Sequence, residues 1–204
     1  PIYERTNKKI YQEYGLDLTE QDYERHLGSN LKDIWRDILE RYQVKEEYVH
    51  YKIEDFMEEH IHSSYQALAE ADDLELMPGI KEWFDFLKDH GYQMIIASSS
   101  YEPVVEYIYQ RFNLDQYMAG YVDGNAIENG KPAPDIFLKA AEKLNLEPQE
   151  CVIIEDSENG VIGAQRAGAK VVGFNRAQSE SQDLSQADLV IEEYNQENLQ
   201  KILN

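Results

Sequence analysis

Three short segments carry side chains whose type and placement suit phosphate chemistry. Ser98-Ser99-Ser100 follows the apolar run Met94–Ala97 and precedes a segment opened by Pro103. Hydroxyls and free backbone N–H groups at a strand-to-helix junction can hold a phosphate, although a plain N-cap uses the same residues. Gly130-Lys131-Pro132-Ala133-Pro134-Asp135 places one lysine in a loop stiffened by prolines. A fixed cation there could neutralise charge on a transferring phosphoryl group, or be an ordinary solvated lysine. The apolar run Cys151–Ile154 ends in Glu155-Asp156-Ser157-Glu158-Asn159-Gly160. Adjacent carboxylates at the end of a buried strand repel each other, and a helix cap needs only one acid. Magnesium supplies a reason for the pair, since it takes one or two carboxylates and leaves its other positions to water and phosphates.

The elements that must position these segments change character along the chain. Up to about residue 76 the pattern is helical only. Leu31, Ile34, Trp35, Ile38, Leu39 and Tyr42 form one apolar stripe at three-and-four spacing. Val49, Ile53, Phe56, Met57, Ile61, Tyr65 and Leu68 continue the spacing in a longer helix, and Thr19 is a candidate N-cap with Asp22 in the following first turn. After Pro78-Gly79 short apolar strands alternate with helices. Strands are expected at Met94–Ala97, Cys151–Ile154, Val171–Phe174 and Leu189–Ile191. Helices are expected after Gly79, Pro103 and Pro134, and from about Glu158 to Ala167, stopped by Gly168. Continuous apolar strands between helices imply an α/β parallel sheet with helices on both faces. The run Gln178–Gln186 reads as a polar loop. His60 and His62, two apart on a helix, face different ways and make an improbable metal pair.

Composition excludes several classes of function. The 204 residues carry 40 acidic against 19 basic side chains, a formal charge of −21. Such a chain is repelled by nucleic acid and by anionic membrane surfaces. One cysteine, Cys151, excludes an internal disulfide framework. No run approaches the ~18 apolar residues of a spanning helix, and the first residues show no secretory pattern. The expectation is a cytoplasmic protein with no nucleic acid or membrane partner.

The order Ser-ending strand, proline-flanked lysine, acid-acid strand end, all behind a helical block, resembles the haloacid dehalogenase superfamily. It is most similar to the capped subgroup that contains β-phosphoglucomutase and many small-metabolite phosphatases. The resemblance implies an all-helical cap at 1–76 and a Rossmann-like core at 77–204. It implies that Ser98 and the Ser99 amide bind phosphoryl oxygens, that Lys131 balances transition-state charge, and that Glu155 and Asp156 anchor Mg2+. The loop His26-Leu27-Gly28-Ser29-Asn30 lies where the family sets its specificity. The family's opening Asp-x-Asp-Gly-Thr strand, whose first Asp is the nucleophile, has no counterpart here. That absent strand is expected between Met94–Ala97 and Cys151–Ile154, so the chain by itself is expected to be inactive.

The implied activity is a magnesium-dependent phosphatase acting on a small phosphorylated metabolite through an aspartyl-phosphate. A sugar phosphomutase is the alternative, as is a non-catalytic phosphometabolite-binding or receiver-like module. The mutase subgroup generally has an arginine soon after the loop glycine and a lysine in the last cap helix. Leu31-Lys32 and Gln66 stand in the comparable stretches here, which favours the phosphatase.

Overall fold

The computed structural model describes residues 2–175 and 182–203. Four helices precede residue 77: α1 (Ile2–Glu13), α2 (Glu20–His26), α3 (Leu31–Arg41) and α4 (Ile53–Ala69). The stripe on α3 does what its spacing implies. Trp35 and Ile38 are fully buried, and the Trp35 ring stacks on Phe56 of α4 with centroids 4.8 Å apart. Tyr14 meets both rings edge-on, the arrangement that aromatic quadrupoles favour. Val49 departs from expectation: it lies in the turn before α4 and is 67% exposed. The helix starts only at Ile53, where Asp55 accepts a hydrogen bond from the Lys52 N–H at 2.7 Å.

Asp22 does more than favour a helix terminus. It accepts from the Thr19 N–H and Oγ1, from Arg41, and from the Tyr42 hydroxyl, while only 2% exposed. Burial alone would raise its pKa. The bonds from Tyr42, Thr19 and Arg41 outweigh that and hold the carboxyl well below the usual range.

The remainder alternates strands and helices: α5 (Ile80–Asp89), β1 (Ile96–Ala97), α6 (Glu102–Arg111), β2 (Tyr121–Val122), α7 (Asp135–Leu144), β3 (Val152–Glu155), α8 (Glu158–Ala167), β4 (Lys170–Phe174), β5 (Leu189–Ile191) and α9 (Gln196–Leu203). All the strand pairs among the described residues are parallel, as the alternation with helices requires. β4 is the centre of a β3–β4–β5 sheet, with Val171 and Val172 fully buried. β1 pairs with β2 in a second sheet, Ile96 opposite Tyr121. The expected strand at Met94–Ala97 is thus shortened to two residues, although Met94 O and the Ser98 N–H extend its hydrogen bonding to Ala119 and Val122. β2 escapes the sequence pattern because its two residues are too few to show a period. Among the described residues no ladder joins β1 to β3, and Val152 and Ile154 of β3 are 42% and 37% exposed.

Part of the expected polar loop, residues 178–181, lies outside the described residues. Its remainder hides Leu184, which is buried against Gly173 and the α7–α8 core. The apolar clusters divide cleanly along the chain. One is built from Ile10 to Phe56 and its neighbours, while two others use residues from Met77 onward. Among the described residues no helix is long and apolar enough to cross a membrane.

His60 and His62 have unlike surroundings, in keeping with their spacing. His60 is buried between the Tyr11 and Trp35 rings, and its Nε2 is 3.0 Å from Asn7 Oδ1. Burial lowers its pKa from 6.5 to about 4. The folded state therefore excludes a proton that the unfolded state binds between those values. The contribution of His60 to stability is fully present above about pH 6.5 and falls by roughly 3 kcal/mol as the pH drops toward 4. Urea unfolding of the wild type and of His60→Phe across pH 4.5–7 checks this. The wild type should lose more stability on acidification, and equal losses would rule out the assignment.

Candidate active site

β3 delivers Glu155 and Asp156 to the carboxyl end of the sheet, where open α/β folds bind ligands. The two acids are used differently. Glu155 is 9% exposed and turned inward: Oε2 accepts from Lys131 Nζ at 2.7 Å. Oε1 accepts from the Ser157 hydroxyl at 2.7 Å and from the Asp156 and Ser157 amides at 3.2 Å. Ser157 also caps α8, its Oγ accepting from the Gly160 N–H at 3.1 Å. Gly160 is required by this packing, since a Cβ there would stand 2.0 Å from the Glu155 carboxyl carbon. Asp156 is half-buried beside them.

Lys131 is not a solvated lysine. Its side chain is 5% exposed, and its ammonium lies 4.9 Å from the centre of the Phe137 ring. A buried ammonium needs a counter-charge, which Glu155 supplies. Glu155, expected at the metal with Asp156, thus has both oxygens engaged by the protein.

At the end of β1, Ser98 Oγ accepts from the Ser100 N–H at 3.2 Å, forming a tight turn. Ser99 Oγ donates to the Gly28 carbonyl at 2.7 Å. No hydrogen bond joins Ser98 or Ser99 directly to Lys131 or Glu155 among the described residues.

The connection is made by residues 25–30, the end of α2 and its loop into α3, which touch all three segments. Gly28 (φ +76°) lies so close to Ser157 that a Cβ would be 2.3 Å from its Oγ. Gly130, next to Lys131, lies against Asn30, where a Cβ would be 2.1 Å from Nδ2. Asn30 itself is held as the cap of α3, its Oδ1 accepting from the Asp33 N–H. Asn159 Nδ2 donates to the Leu27 carbonyl at 3.0 Å and is within 3.3 Å of the Arg25 carbonyl. Sequence reasoning marked the 26–30 loop and the run through Asn159-Gly160, but gave Asn159, Gly160 and Asn30 no part of their own. Gly160 closes the run after the acid pair, but the carboxylate packed against it is visible only in the fold. Asn159 has no signal beyond being polar in a first helical turn.

Strand ends bearing hydroxyls, a charge-balanced buried lysine and an adjacent carboxylate, under a loop from a helical segment, define an α/β enzyme of phosphoryl transfer. The comparisons with known proteins agree. The chain matches the family model for haloacid dehalogenase-like hydrolases over residues 2–174 and belongs to that family. It is 26% identical over 191 residues to the phosphorylated carbohydrates phosphatase of Thermotoga maritima, covering 93% of this chain and 85% of that protein. It is 35% identical over 117 residues to the β-phosphoglucomutase of Bacillus subtilis, spanning 57% of this chain and 49% of that one. The crystal structure of β-phosphoglucomutase from Clostridium difficile shares the fold, with a TM-score of 0.83, 23% identity, and coverage of 98% and 88%. The chain falls in the phosphatase and phosphomutase branch and is a phosphohydrolase-type enzyme.

The ion pair generates a stability prediction. Glu155→Gln leaves Lys131 buried without its counter-charge and should cost about 3–5 kcal/mol in urea unfolding. Adding Lys131→Met should return most of that loss, because the second change removes the stranded charge. A cost below about 1 kcal/mol for the single variant would be the figure for an exposed pair and would contradict the burial described.

Proposed function

We propose that the protein is a magnesium-dependent phosphatase of a small phosphorylated metabolite, acting through an aspartyl-phosphate. The observation that carries this reading is the buried Lys131–Glu155 pair, with Asp156 beside it and the Ser98–Ser99 turn under the same loop. In this reading residues 1–76 form the cap and 77–204 the core. Similarity to the phosphorylated carbohydrates phosphatase supports a carbohydrate phosphate as the substrate class.

Each residue has a distinct part. Ser98 Oγ and the Ser99 N–H bind phosphoryl oxygens, as donors fixed before the substrate arrives. Lys131, aimed by Glu155, balances the charge that develops on the transferring group. The donor set fits magnesium through Asp156. An all-protein cage of three or more His, Cys, Asp or Glu is absent among the described residues, and magnesium does not require one. Asp156 would hold the ion, with Glu155 acting on Lys131 instead; bound magnesium supplies positive charge to the phosphate oxygens. The nucleophilic aspartate is assigned to none of residues 1–204. In this reading it sits on a strand between β1 and β3, where Val152 and Ile154 offer apolar side chains.

The test uses a form that carries an Asp-x-Asp strand and turns over. Lys131→Ala should lower kcat by about 10²–10³-fold with little change in magnesium dependence. Asp156→Ala should weaken apparent magnesium binding, with part of the rate recovered by excess ion. Rescue of Lys131→Ala by magnesium, and not of Asp156→Ala, would reverse the two roles. Release of inorganic phosphate in step with turnover is expected. An isomeric sugar phosphate appearing without that release would replace phosphatase by phosphomutase.

A further inference from the structure

The contacts of residues 25–30 reach beyond covering the site. Asn159 stands in the first turn of α8, just past Glu155-Asp156, and its side chain turns away from its own helix toward the helical segment. Its amide nitrogen is 3.0 Å from Leu27 O, 3.3 Å from Arg25 O and 3.4 Å from Ser29 Oγ, three acceptors for two N–H groups. On the other side of the site Ser99 Oγ donates to the next carbonyl along, that of Gly28. These carbonyls lie at and beyond the C-terminus of α2, where the helix leaves them without intrahelical partners. The apolar clusters of the helical segment and of the α/β part share no residue. At this loop the contacts given between the two parts are hydrogen bonds and the close approach of Gly28 to Ser157.

We infer that Asn159 is a positioning residue: it latches the 25–30 loop over the strand ends and so fixes Gly28 against Ser157 and Ser99. The role deepens the phosphatase reading, on which only its consequence for turnover rests. The latch lets the loop sense the strand end that carries Glu155 and Asp156. A loop seated there excludes water from the crevice; a loop released admits it.

Hydrogen–deuterium exchange on residues 1–204 tests the latch without any need for activity. In Asn159→Ala the amides of residues 26–30 should exchange on the order of tenfold faster, the effect of losing about one net hydrogen bond. Tryptic cleavage after Arg25 should accelerate in parallel. The amides of α8 should be unchanged, because alanine is the better helix former in that turn. Asn159→Asp, which keeps the size but replaces the donor by a carboxylate facing carbonyls, should loosen the loop at least as much. Unchanged exchange at 26–30 in both variants, or acceleration shared equally by α8, would overturn the latch and leave Asn159 a helix residue only. In the turnover-competent form, Asn159→Ala should raise KM more than it lowers kcat. Faster loop exchange with no phosphatase activity in any form would retire the phosphatase reading and leave the latch standing.

Discussion

The Lys131–Glu155 ion pair is the constraint on which the rest of the site depends. Taking an ammonium and a carboxylate out of water carries a desolvation cost of several kcal/mol per ion, and mutual attraction offsets it only when the remaining hydrogen-bonding capacity is met. The surrounding sequence is organised to meet it. Glu155 accepts the Ser157 hydroxyl and two successive amides as well as Lys131. Gly160 leaves the volume the carboxylate fills. Phe137 presents a ring to the ammonium from α7, adding a cation–π contact to the Coulombic one. The pair therefore ties α7, β3 and the turn into α8 to one geometry, and that geometry places Asp156.

The helical segment meets this frame through chemistry of a different kind. On the site side the contacts are polar: Ser99 to Gly28, Asn159 to Leu27, and Asn30 against Gly130. Further along, α4 lies against α6, with Tyr65 edge-on to Tyr107 at 5.6 Å. The three apolar clusters share no residue between the two segments, while Leu68 of α4 and Val104 and Val105 of α6 are also buried. Hydrogen bonds of about 1 kcal/mol each are easily exchanged for water.

The glycines at the contact points follow from the same closeness. Gly28 needs a left-handed backbone, and its Cα faces Ser157; Gly130 and Gly160 are limited by neighbours and not by φ. Steric room and conformational freedom are thus separate reasons for the same residue type, within one site.

Much of the molecule was legible from residue order. The apolar runs and helix periods of Leu31–Tyr42, Cys151–Ile154 and Glu158–Gly168 report local burial, and burial on one face or both leaves a period in the sequence. The three chemical segments were visible because hydroxyls, a proline-flanked lysine and paired acids are unusual at strand ends. Other features left no period to read. Tyr121–Val122 is a strand only because β1 lies beside it, and Leu184 is one apolar residue in a polar stretch. The division of labour between Glu155 and Asp156 required knowing that Lys131 arrives from 24 residues away at 2.7 Å. Asn159 likewise gains its partners from residues more than 130 positions distant. Sequence determines what each side chain can do, because chemistry is local. Tertiary structure decides which capacity is used, because partners, volume and desolvation are set by chains brought together from afar.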